Sequence, residues 1–148
     1  MALVKKTIVI HAPPEKVHAL ARDPNQWPTW FAGMGEIERL PGGGGVGTVV
    51  EHTFLALGIR FPVTLRVLED HIGPEGSRWK AKMEGPFAGE HFWTHEPKNG
   101  DTETTAELEY TVPGAALGKI ANRLIIERIM EGGLEQSLEN LKLLCEAD

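Results

Sequence analysis

The sequence holds one cysteine, Cys145, in 148 residues, so no disulfide framework can form and a reducing compartment is its natural setting. It lacks any apolar run approaching the roughly 18 residues that a membrane-spanning helix needs. The stretch Met1 to Lys6 carries no hydrophobic signal core, and the expectation is a cytoplasmic, soluble protein with no stable membrane insertion. Basic blocks are missing too: 15 Lys and Arg lie scattered among 21 Asp and Glu, giving a net charge of −6. That balance argues against nucleic acid as a partner. No repeat or low-complexity linker divides the chain, and residues 1–148 are read as one domain large enough to bury its own core.

Proline is absent from Ala115 to Glu146, where Leu, Ile, Glu, Lys, Arg and Asn predominate, and the last fifth of the chain, Gly114 to Asp148, is predicted as one long helix. At its full length it would run roughly 48 Å, too long for its apolar face to stay in water. Leu117, Ile120, Ala121 and Leu124 form one stripe at helical spacing, and Met130, Leu134, Leu138, Leu141 and Cys145 form a second. The second is rotated by roughly 120° from the first. Gly132 and Gly133 fall between them and cost on the order of 1 kcal/mol each relative to alanine. Two readings offset that cost: a bend or close packing against a neighbour, or room for a ligand lying on the helix.

Upstream the periodicity changes. Leu3 to His11 alternates as a half-buried strand, and Pro13-Pro14-Glu15 opens a short helix that Asp23-Pro24 ends. A second short segment, Asn25 to Phe31, carries Trp27, Trp30 and Phe31, which are expected to seal one end of the core. From Met34 to Val112 only alternating segments remain: Gly35 to Leu40, Gly47 to Leu55, Ile59 to Ile72, Ser77 to Glu84, Gly89 to Glu96 and Thr102 to Val112. The fold class is therefore α+β: a seven-stranded antiparallel sheet with one apolar face, covered by the C-terminal helix, the only element long enough to do so.

The turns of this meander sort into two sets. Pro41–Gly45, Asp70–Ser77 and Pro97–Asp101 are polar or glycine, whereas Leu55–Ile59, Gly85–Gly89 and Pro113–Gly118 are apolar and glycine-rich. Apolar turns gathered at one end suggest a mouth through which ligands enter, or simply the closed bottom of the core. On the mouth reading, charged residues at Leu57 and Phe87 would slow ligand uptake at little cost in stability.

The order strand, two short helices, six strands, long helix resembles the START-like helix-grip superfamily, which includes the birch-pollen allergen group and the polyketide cyclase/dehydrase and lipid-transport proteins. The resemblance spans the whole chain and rests on Ala12-Pro-Pro-Glu-Lys-Val17 with Asp23 and Trp30, Gly85-Pro-Phe87 before His91-Phe-Trp93, Glu109-Tyr110 with Pro113, and Leu138-Glu-Asn-Leu-Lys142. It implies a curved sheet wrapped around the C-terminal helix and an apolar cavity between them, used for lipids, sterols, hormones or polyketides, and in some members for catalysis.

Within that frame the chemistry is sparse. Gly42 to Gly47 is no phosphate loop, because no Lys-Ser/Thr follows and the next element is a strand. His91 and His95 would pair on a helix, but on a strand they stand roughly 13 Å apart, too far for one zinc. No metal and no cofactor are expected. By alternation His91, Trp93 and His95 share the inner face, and His52 shares a face with Val50 and Phe54. The predicted cavity is lined by Trp79, Met83, Phe87, Trp93 and Tyr110 with Phe54 and Phe61, and by Leu117, Ile120 and Leu124 from the helix; His52 and His91 are its polar points. No serine or cysteine nucleophile and no inner-face carboxylate pair accompanies them, which leaves acyl transfer and glycoside chemistry unsupported. Two main functions follow. One is binding or transport of an apolar small molecule; the alternative is a cyclase or dehydratase using His52 or His91 as acid/base with Tyr110 as donor. A weaker third is an interaction module using the apolar turns or Ile125, Ile126 and Ile129, which allows a weak homodimer.

Overall fold

A computed structural model describes residues 2–39, 42–56, 58–111 and 123–147. Alternating segments become strands: β1 (Ala2–Ile10), β2 (Met34–Arg39), β3 (Val49–Ala56), β4 (Ile59–Gly73), β5 (Gly76–Glu84), β6 (Gly89–Lys98) and β7 (Asp101–Tyr110). They pair antiparallel in the order β1-β7-β6-β5-β4-β3-β2, so the chain runs as a meander from β2 to β7 and β1 closes the far edge. Every second residue is buried where the sequence alternates, as in β5, where Ser77, Trp79, Ala81 and Met83 face inward and Arg78 and Lys82 face water. Register shifts between Val67 and Glu69 and along β2 mark bulges that bend the sheet.

Two short helices, α1 (Pro14–Arg22) and α2 (Trp27–Trp30), precede β2, and α3 (Arg123–Glu146) ends the chain. The curved sheet, short helices and C-terminal helix make the α+β helix-grip architecture expected from the sequence. On α3 the second stripe is buried as predicted, with Met130, Leu134, Leu138, Leu141 and Cys145 all inside, and the line continues back to Ile126. Leu124 is 51% exposed. The reason is geometric: Leu124 lies two residues, roughly 200°, from Ile126, so the helix cannot bury both. Leu117 and Ile120, with Gly114 to Asn122 of the predicted helix, lie outside the described residues. Helical backbone continues through Gly132 and Gly133, and a Cβ at either would meet nothing within 4 Å, so the pair neither breaks the helix nor serves a close approach.

Coverage of the sheet is divided. α3 lies nearest β1 and is tied to it by Lys6 Nζ on Glu131 at 2.9 Å and by Lys142 Nζ donating to the Val9 carbonyl at 2.9 Å. α1 packs over β4, β5, β6 and β7, so the long helix is not the only cover. A part-buried clasp joins the end of α2 to α3: the Ala32 backbone N–H donates to Ser137 Oγ at 2.9 Å and Asn140 Nδ2 donates to the Trp30 carbonyl at 3.1 Å.

Of the apolar turns, the one between β5 and β6 is closed. Gly85 has φ +126°, and a Cβ there would stand 2.5 Å from the Pro62 carbonyl oxygen, so only glycine lets the chain fold back. Phe87 thereby turns inward, 2% exposed, with Phe61 at 4.9 Å and Phe54 at 5.7 Å between ring centroids. It plugs this end of the core, and a charge at Phe87 would bury an unpaired ion instead of sparing stability. Leu57 and Pro113–Gly118 lie outside the described residues.

Candidate functional site

The inner faces of β3 to β7 meet the undersides of α1 and α2 around a cavity of about 60 Å³. That is room for roughly four to six waters, well below the ~150 Å³ of a known benzene-binding cavity. Its walls are mostly aromatic. Trp27 meets Trp79 edge-on at 5.5 Å, Trp30 meets Trp93 at 5.5 Å, and Phe31 lies 5.4 Å from the His91 ring. Met34, Met83 and Met130 also line it, with Val63, Leu65 and Leu108 from the sheet, and Met130 is the one residue that α3 contributes among those described.

Four histidines face this space. The strand pattern found three, because β3 and β6 alternate: His52 on one, His91 and His95 on the other. The fourth, His18, comes from α1. Burial holds each below the usual imidazole range, His91 at about 4 and His95 at about 3, so all are neutral at pH 7. The neighbouring His52 pushes His91 down further, and His18 does the same to His95.

Hydrogen bonds fix which nitrogen carries the proton in His52 and His91. His52 Nδ1 lies 3.3 Å from the Thr53 carbonyl, which can only accept, so the proton sits on Nδ1 and Nε2 is a bare acceptor. The Trp93 indole N–H donates to His91 Nδ1 at 3.4 Å, leaving the His91 proton on Nε2. His95 Nδ1 shares a 2.9 Å bond with the Thr104 hydroxyl. His18 Nε2 stands 2.9 Å from Asp70 Oδ1, whose charge favours a proton on that nitrogen and leaves Nδ1 bare. The approach is off the N–H axis; it is a charge contact, and Asp70 Oδ1 has no aligned hydrogen bond among the described residues. Arg22 holds the other oxygen, Nε at 2.9 Å and Nη2 at 2.8 Å.

Four buried atoms around the cavity have no hydrogen-bond partner among the described residues: the Trp30 and Trp79 indole nitrogens, His52 Nε2 and His18 Nδ1. Two are donors and, in the tautomers above, two are acceptors.

Of the residues expected to form the site, Phe54, Trp79, Met83, Phe87, His52, His91 and Trp93 line this cavity together. Phe61 and Tyr110 do not: they pack against Phe87, and the fully buried Tyr110 hydroxyl is held above its usual range by burial and by Glu127. Leu124 is not part of the lining either. Sequence reasoning missed His18 and Arg22; Trp27, Trp30 and Phe31, expected as an end seal of the core, pack with the core and also line the cavity. The available signal was the spacing of His18 and Arg22, one helical turn apart on α1; their partner Asp70 is too far along the chain to be seen.

Among the described residues, no helix is long and apolar enough to cross a membrane. No curated protein matches the chain. Solved structures do. TTHA0849 from Thermus thermophilus superposes with a TM-score of 0.77 at 22% identity, covering 99% of this chain and 100% of its own. Ara h 8.0201 gives 0.67 at 14%, with 99% of both chains covered. Norcoclaurine synthase from Thalictrum flavum, in complex with dopamine and hydroxybenzaldehyde, gives 0.68 at 16%, covering 97% of this chain and 85% of its own. At these identities the likeness is one of fold. Residues 1–146 match the family described as polyketide cyclase / dehydrase and lipid transport, and to that family the chain belongs.

Proposed function

We propose that the chain binds a small, uncharged, largely aromatic molecule bearing a hydroxyl or carbonyl group, held under α1 and α2. The observation that carries this reading is the set of four buried polar atoms around the cavity that have no partner among the described residues, since buried polar groups are nearly always paired. Two donors and two acceptors suit a group that both gives and takes a hydrogen bond. A carboxylate or phosphate is disfavoured: the histidines are neutral, and the one lining cation among the described residues, Arg22, is engaged by Asp70. Norcoclaurine synthase, similar in fold, holds two hydroxylated aromatics, which supports the class.

The 60 Å³ space requires the wall to move for anything larger than a few waters. Met34, Met83 and Met130 supply that adaptability, being unbranched and able to change rotamer at small cost. Native mass spectrometry of freshly purified protein, with a thermal-shift panel of phenols, aryl ketones and their carboxylated analogues, tests the reading. A neutral ligand at 100 times its Kd adds about 2.7 kcal/mol, or roughly 5–10 °C in Tm. Carboxylated analogues should add nothing. A panel in which no neutral aromatic raises Tm, or the carboxylates do so equally, overturns the proposal.

A further inference from the structure

We propose that Asp70 and His18 make the α1 side of the cavity a proton-transfer site, where His18 Nδ1 removes an acidic C–H proton from an uncharged carbonyl compound or comparable carbon acid. The inference rests on the cavity being a ligand site and adds a chemistry to it. His18 is 5% exposed and lines the cavity. Its Nε2 stands against the Asp70 carboxylate and its Nδ1 is bare and unpartnered among the described residues. Arg22 grips the far carboxylate oxygen at two points, so the carboxylate cannot swing away. Carboxylate, imidazole and cavity thus follow in the order that gives a held base. No other cavity histidine has this support: His52 leans on the Thr53 carbonyl, His91 on Trp93 and His95 on Thr104.

A donor for developing charge stands on the next strand. Trp79 is the cross-strand partner of Asp70, and its buried indole N–H has no partner among the described residues. In the step, the proton moves from carbon to His18 Nδ1 and the C–H electron pair becomes the C=C bond of an enolate. The carbonyl π pair moves onto oxygen, where an indole N–H can donate. The imidazolium formed is stabilised by Asp70, and returning its proton to carbon or oxygen regenerates neutral His18. Besides Asp70 and Arg22, the charge felt at His18 is that of His71 on β4; the His95 ring on β6, itself neutral, stands with its centroid 6.1 Å away.

Nitrobenzisoxazole, a flat neutral carbon acid, is the probe. Loss of its one acidic proton to a base forms a nitrile as the N–O bond breaks, releasing a coloured nitrophenolate with no redox partner. Its C-methyl derivative lacks that proton and reports binding alone, by quenching of tryptophan fluorescence. The wild type should accelerate elimination on the order of 100-fold over free imidazole. His18→Gln should lose that acceleration while still binding the methyl derivative. Asp70→Asn should lower turnover by about tenfold and move the limb of the rate–pH profile to lower pH, which a merely structural role would not do. Should His18→Gln fail to fold by circular dichroism, the Asp70→Asn profile decides. Binding without acceleration, wild-type rates in both variants, or loss of rate in His52→Gln with His18→Gln active overturns the proton-transfer site and leaves the cavity reading intact. Failure of the methyl derivative to bind removes both.

Discussion

His91 and His95 sit on the inner face of β6 at 5% and 1% exposure, and burial holds their folded pKa values at about 4 and about 3. In the unfolded chain each returns to near 6.5. Below that value the unfolded state binds protons that the folded state refuses, so stability is full above pH 6.5 and falls as pH drops toward the folded pKa. At pH 5 each such histidine should cost about 2 kcal/mol relative to pH 7.5. Urea midpoints across that range should fall steeply, and His91→Gln should flatten the fall. A flat profile in the wild type would mean that the histidines are not held neutral.

The Gly132-Gly133 pair in α3 meets neither of the structural demands that usually retain glycine, since the helix runs through it and a Cβ would touch nothing within 4 Å. Gly133 lies between Met130, which lines the cavity, and Ser137, whose hydroxyl donates to the Gly133 carbonyl at 2.7 Å. On propensity alone Gly133→Ala should stabilise by about 1 kcal/mol in urea unfolding. If ligand lies along this stretch, the same change should weaken its binding in fluorescence titration. Stabilisation with unchanged binding would remove the ligand account of the glycines.

For the molecule as a whole, β6 and β7 approach closely where β6 begins. Gly89 pairs with Tyr110, and a Cβ there would fall 1.8 Å from the Glu109 carbonyl oxygen. Backbone cannot yield as a side chain can, so Gly89→Ala should part the strands and lower stability by about 3 kcal/mol or more, read as a drop in Tm. A Tm within a degree or two of wild type would show that the sheet relaxes there.

Strand alternation from β3 to β7, the start of α1 at Pro13-Pro14 and the second stripe of α3 were determined by the sequence itself, because each depends on contacts between residues a few positions apart. The inward set of His52, His91, Trp93, Trp79 and Met83 followed from the same parity rule. What the tertiary structure alone decided was which inward residues share a space. His18 meets Asp70 across 52 residues and His95 across 77. Trp30 and Phe31 become walls because α2 is clasped to α3 more than 100 residues away. Phe87 turns inward because one glycine takes a positive φ. Periodicity carries no record of such meetings: it fixes the face a side chain points to, and the curvature of the sheet and the docking of the helices fix what it finds there.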